Sequence, residues 1–256
     1  VKPADILKTN RPPTILLYGA AGTGKTGLVS QASNGYMFDF DNGMLTAANL
    51  KDKFYEQRQT IEFDVFRDPN PRDPKMYHEA RVKLMQIGQQ VRNNNWPFDA
   101  IIIDSITGLA EAIKLKVMKD NTGDSLGEPS RNHWGSMVNY MRAFLIEVRS
   151  LGVLTLITAH LQTIEDDKGA VLGIFPSSIT KNHGVKDLPW AVDEMWYAQV
   201  APGVGNKSEF TVTGAPANKI TTCSRSSLGK TVHNDIGLRG LLEKVGYTYG
   251  KKGEQK

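Results

Sequence analysis

Gly19-Ala-Ala-Gly-Thr-Gly-Lys-Thr26 follows directly on the apolar run Thr14-Ile-Leu-Leu-Tyr18 and precedes Gly27-Leu-Val-Ser30, which reads as the start of a helix. The octapeptide fits G-x-x-x-x-G-K-[ST] in the strand–loop–helix setting of a phosphate-binding loop. Its glycines let the backbone wrap a polyphosphate so that successive N–H groups point inward, and the following helix offers its positive end to the same anion. Gly19, Ala20, Ala21, Gly22, Thr23, Gly24, Lys25 and Thr26 are therefore the candidate nucleotide contacts. Lys25 is expected to reach the β- and γ-phosphates of ATP, and Thr26 to hold Mg²⁺.

The 256 residues, 40% apolar, suffice for one α/β core without covalent staples. The single cysteine, Cys223, has no internal partner, which suits a reducing compartment and a passive strand position. Leu151–Ala159, the longest apolar stretch, is about half a membrane span, and the N-terminus lacks an apolar signal core, so the cytoplasm and no membrane partner are expected. Charge is evenly spread: 19 basic and 17 acidic residues up to position 150, then 12 and 10. Nucleic-acid binding must therefore rest on particular loops rather than on bulk charge.

Apolar runs at 14–18, 36–40, 61–66, 100–104 and 153–160 read as strands, separated by segments with helical spacing such as Tyr77, Ala80, Leu84, Ile87 and Val91. Such alternation predicts a mostly parallel central sheet flanked by helices. After residue 190 short runs at 191–200, 210–213 and 220–223 are broken by Gly, Pro and Asn, which predicts an antiparallel extension at the C-terminal end, with a last helix over 237–245. The expected organisation is an N-terminal segment (1–13), one α/β domain (14–248) and a polar, Lys-rich tail (249–256).

Two further motifs carry chemistry. Ala100-Ile-Ile-Ile-Asp104-Ser105 is a buried-type strand ending in an acid, which places Asp104 beside the Mg²⁺ held by Thr26. Met37-Phe-Asp39-Phe-Asp41-Asn-Gly43 runs from a strand into acidic residues and a turn. A carboxylate there, from Asp39 or Asp41, can orient or deprotonate the attacking water, or both acids can simply make Asx turns.

The order of these motifs resembles the RecA-core ATPases, in particular the short phage-encoded RecA-like proteins linked to single-strand annealing and recombination. In that group an Asp-x-Glu-Gly-Gly-like strand end follows the phosphate loop, where this chain has Asp39-Phe-Asp41-Asn-Gly43. The V-[IV]-[IV]-D-S strand corresponds to Ile101–Ser105, the aromatic-led helix to His133-Trp134-Gly135, and the strand ending in T-A-H to Thr158-Ala159-His160. The resemblance spans roughly residues 14 to 230 and implies a RecA-like P-loop NTPase core. Asp41 stands where the family has Glu, one methylene shorter.

By that resemblance His160 senses the γ-phosphate and relays its state to the loop that follows, and Arg225 reaches a neighbouring subunit's nucleotide. The long polar segments 120–131 and 162–187 take the places of DNA-binding loops, with Arg131, Lys168, Phe175, Lys181 and Lys186 as candidate contacts for phosphates and a base face. A plain solvated loop remains the other reading of 162–187, which also carries Glu165, Asp166 and Asp167. Trp190 and Trp196 read as sheet packing. The implied function is a Mg-ATP-dependent, single-stranded-DNA-binding recombinase or annealing factor working as a homo-oligomer, filament or ring, in the host cytoplasm if phage-encoded. A single-strand-binding protein is a further candidate partner. The alternatives are an ATP-binding DNA coat with little hydrolysis, and a P-loop motor or regulator acting on proteins.

Overall fold

The computed structural model describes residues 12–180, 187–203, 208–215, 219–224, 226 and 228–249. Lys181, Lys186, Arg225 and the tail from residue 250 onward lie outside the described residues.

The elements in chain order are β1 (Thr14–Gly19), α1 (Lys25–Val29), β2 (Gly35–Asp39), α2 (Met44–Ala47), α3 (Tyr55–Arg58), β3 (Glu62–Val65), α4 (Met76–Arg92), β4 (Ala100–Asp104) and α5 (Ile106–Thr122). They continue with α6 (Arg131–Ser150), β5 (Leu154–Glu165), β6 (Val171–Pro176), α7 (Leu188–Ala191), β7 (Glu194–Pro202), β8 (Ser208–Thr213), β9 (Cys223–Ser224), β10 (Thr231–Val232) and α8 (Gly237–Lys244). The sheet runs β10-β8-β7-β1-β5-β4-β2-β3, with β6 paired to β5 and β9 to β7. From β7 through β1, β5, β4 and β2 to β3 every neighbouring pair is parallel, while β8, β9 and β10 are added antiparallel. The fold is a mostly parallel α/β sheet flanked by helices, with an antiparallel C-terminal extension.

The strands β1, β2 and β4 owe their apolar runs to burial on both faces, whereas β3 at the sheet edge is exposed. On β4, Ile101 and Ile103 face a core with α4, α5 and α6, whereas Ala100 and Ile102 face a second core with α1, α2 and α8. Alternation on β1 divides Leu16 and Tyr18 from Ile15 and Leu17 in the same way. Helix α5 starts where the Ser105 side chain accepts the Gly108 N–H (3.1 Å) and stops at Gly123, whose φ of 73° a side chain would resist.

Two expected loops are more ordered than their composition suggests. In the 120–131 segment α5 continues to Thr122, and Ser125, buried, donates its hydroxyl to the Pro71 carbonyl at 2.5 Å. The 162–187 segment opens as a hairpin: β5 runs on to Glu165 and returns as β6, with Gln162 opposite Phe175 and Thr163 opposite Ile174. The ring of Phe175 is 1% exposed, so the expectation that it meets a base is corrected: strand pairing turns it into the protein. Trp196 packs in the sheet as expected, but Trp190 is 45% exposed on the short helix α7.

Candidate active site

Parallel strands deliver their carboxyl ends to one edge of the sheet, and β5 lies between the strand of the phosphate loop and the strand of Asp104. Loop, carboxylate and His160 therefore meet at a crevice at those ends, where open α/β sheets place their ligands. The cleft has a volume of about 990 Å³, and Lys25, Thr26, Asp41, Asp104, Thr158 and His160 are among its lining residues.

The phosphate loop is shaped by its own short-range bonds. Gly22 and Gly24 adopt φ of 77° and 78°, and the Thr23 hydroxyl donates to the Ala20 carbonyl (2.8 Å). Lys25 is buried, and its ammonium donates to the carbonyl oxygens of Gly19 (3.0 Å) and Ala20 (2.8 Å). Burial pushes its pKa down, while Asp104 and Asp41 act in the opposite direction. Helix α1 has only five residues, so its macrodipole contributes less than the sequence suggested and the loop N–H groups carry more of the anion's binding.

Asp104 sits at the end of β4 at 2% exposure, followed by a cis peptide bond to Ser105. Its Oδ2 accepts the Thr26 hydroxyl at 2.8 Å and its Oδ1 accepts the hydroxyl of Thr158. Burial, then the neighbouring charges of Asp41 and Asp39, push its pKa up to about 6 against these hydrogen bonds. Gly43 closes the pocket floor, because a Cβ there would lie 2.5 Å from Asp104 Oδ2. Among the described residues no group of three or more His, Cys, Asp or Glu is arranged to hold a metal by itself. One hydroxyl and one carboxylate suit Mg²⁺, which keeps most of its water and takes phosphate oxygens as ligands. When bound, Mg²⁺ would be held by Thr26 and Asp104 and would neutralise charge on the phosphates.

The two acids after β2 separate. Asp39 is fully buried and its carboxylate accepts three backbone N–H groups, from Asp41 (3.2 Å), Gly43 (2.9 Å) and Met44 (3.0 Å). It builds the turn into α2. Asp41 instead lines the cleft, its Oδ2 lying 3.3 Å from His160 Nε2 with the two side chains 30% and 46% exposed. Burial alone would raise the Asp41 pKa, but hydrogen bonds from His160 and Ser105, with the charge of Lys25, bring it below the usual carboxylate value. An ionised carboxylate at the cleft wall can accept a hydrogen bond from water.

His160 ends the part of β5 that pairs with β1, opposite Gly19. Its backbone N–H donates to Thr107 Oγ1 (3.1 Å), and the Thr107 hydroxyl donates to the Ser177 carbonyl (3.1 Å). Tyr18, one residue before the loop, donates its buried hydroxyl to the carbonyls of Thr221 (2.6 Å) and Ile174 (3.3 Å). Thr107, Tyr18 and Ser105 were not anticipated. Ser105 followed the acid in the quoted motif, whereas the partners of Thr107 and Tyr18 lie far along the chain. Arg131 is exposed at the first position of α6, and Lys168 is exposed in the β5–β6 turn; neither lines the cleft.

No helix among the described residues is long and apolar enough to cross a membrane. A search of curated proteins returns no significant match. A family model described as an AAA domain matches residues 11–226, which takes in the phosphate loop, Asp41, Asp104 and His160. The chain belongs to this AAA domain family of P-loop ATPases.

Proposed function

We propose that this chain is a Mg-ATP-dependent, single-stranded-DNA-binding recombination or annealing factor of RecA-like type, acting as a filament or ring. The observation that carries the reading is β5, a single strand that holds His160 against Asp41 in the cleft and then continues outward as the first arm of the β5–β6 hairpin. A change at the γ-phosphate reaches the hairpin through one strand, and Tyr18 ties the returning arm to the residue before the loop. In this reading Lys25 stabilises the charge on the transferring phosphoryl group, Thr26 and Asp104 would hold a Mg²⁺ ion that shares that charge, and Asp41 orients the attacking water. Arg225, from a neighbouring subunit, supplies further positive charge.

A second reading, an ATP-binding DNA coat that hydrolyses little, is favoured by the Asp41 carboxylate, which is one methylene shorter than Glu and already engaged by His160 and Ser105. Phosphate release measured with and without single-stranded DNA separates the two. Stimulation by DNA, abolished in Lys25→Ala, supports the recombinase; DNA binding with ATP but without stimulation supports the coat. No binding to single-stranded DNA under either condition refutes both.

A further inference from the structure

The cleft has a direction set by the order of the strands. Gly19 is flanked by His160 of β5 on one side and by Ala198 of β7 on the other, and Asp104 and Asp41 lie beyond β5. A nucleotide whose terminal phosphate faces Asp41 and Asp104 therefore extends its base toward β7 and β8. The aromatic side chain waiting on that flank is Phe210 of β8.

Phe210 lines the cleft, is half-buried and belongs to neither hydrophobic core. Its backbone is held from three directions: the N–H donates to Asn234 Oδ1 (2.8 Å), the carbonyl accepts the His233 N–H (2.9 Å), and Val200 is its partner across β7. The ring lies over the loop, since a Cβ on Gly24 would sit 3.0 Å from Phe210 Cδ1. One turn along, a Cβ on Gly27 would sit 3.0 Å from Leu50 Cδ1, and Leu50 also lines the cleft while 41% exposed. Gly24 and Gly27 thus let an aromatic ring and an aliphatic side chain lie close against the backbone of the loop and of α1. A ring placed for core packing would be covered by other side chains. This one, with the His233 ring 6.1 Å away on one side, still opens on the cleft beside the phosphate loop, where the planar face of a base is the matching surface.

We infer that Phe210 is the platform on which the base of the bound nucleotide stacks, with Leu50 bordering it, and that the preferred base is a purine because its larger π-face covers more of the ring. The inference rests on the nucleotide-binding reading of the cleft. Phe210 is a binding and specificity residue and takes no part in the phosphoryl chemistry.

Titration calorimetry in the presence of Mg²⁺ with two probes, ATP and inorganic tripolyphosphate, tests it. Phe210→Ala should weaken ATP by about tenfold or more, the loss of one stacked base, and leave tripolyphosphate unchanged. Phe210→Leu preserves the apolar cover over Gly24 and guards against a folding defect; it should also weaken ATP, and Phe210→Trp should restore it. Wild-type ATP affinity in Phe210→Leu, or equal loss of ATP and tripolyphosphate in both variants, overturns the stacking role. Wild-type protein that takes neither probe overturns the nucleotide reading of the cleft, and the inference with it.

Discussion

Asp39 and Asp41 stand two residues apart with the same side chain, yet the geometry assigns fold stability to the first and chemistry to the second. In Asp39→Ala the N–H groups of Gly43 and Met44 lose acceptors at 2.9 and 3.0 Å, and that of Asp41 loses a longer one at 3.2 Å. Two short hydrogen bonds to a buried charge, at about 1.5 kcal/mol each, make the expected loss about 3 kcal/mol. That is a large part of the roughly 5–15 kcal/mol that holds a typical domain folded. Asp41→Asn alters one partly exposed contact with His160 and should cost less than about 1 kcal/mol, because water competes for both groups. Its turnover should instead fall by roughly 10²-fold or more, the usual scale for a lost general base. Urea unfolding of both variants, with ATP hydrolysis measured on the folded fraction, gives the crossed comparison. Asp39→Ala unfolding within about 0.5 kcal/mol of wild type, a surface-like effect, would refute the structural role of Asp39. A change in Asp41→Asn turnover of less than about threefold would equally refute the division, for then the carboxylate at the cleft wall takes no part in hydrolysis.

His233 is 6% exposed, and among the described residues its Nε2 has no hydrogen-bond partner; burial pushes its pKa from 6.5 down to about 4. Between these values the unfolded chain binds the proton that the folded chain refuses, so stability is full above the upper value and falls as pH drops toward the lower. Going from about pH 7.5 to about pH 5 should cost wild type about 2 kcal/mol more than His233→Leu, as read by denaturant unfolding; parallel pH profiles would refute it. Neutralising Lys181 and Lys186 together should weaken single-strand binding and flatten its salt dependence while sparing ATP binding, and an unchanged slope would show that these lysines do not meet phosphates.

Much of the architecture was legible because the parallel strands are continuous apolar runs that end in chemistry. Ile101 to Asp104 is buried throughout, so composition alone marks a central strand and its terminal acid. Asp39 and Asp41 resisted separation by spacing, since alternation puts both on one face until the strand ends at Asp39 and the chain turns. The hairpin was hidden for another reason. β5 leaves the main sheet after His160, its residues become half-buried rather than buried, and the pattern resembles a solvated loop. Phe210 and Thr107 gave no local signal, because their significance comes from contacts with the phosphate loop and with Ser177. Phe175 was misread for the converse reason: its aromatic character suggested a free face, and its pairing opposite Gln162 removes one.

The unbroken run of β5 also makes it a mechanical lever. Its first half is clamped between β1 and β4, and its second half leaves the main sheet supported by β6. At about 3.3 Å per residue the overhanging part, Leu161 to Glu165, reaches about 17 Å, so a tilt of about 5° at His160 would carry its end through about 1.5 Å. A cantilever of this kind needs no flexible joint, and the gain between cleft and tip is set by the length of the arm. Shortening the hairpin by one residue pair would reduce the stroke at the tip while leaving every group in the cleft where it is.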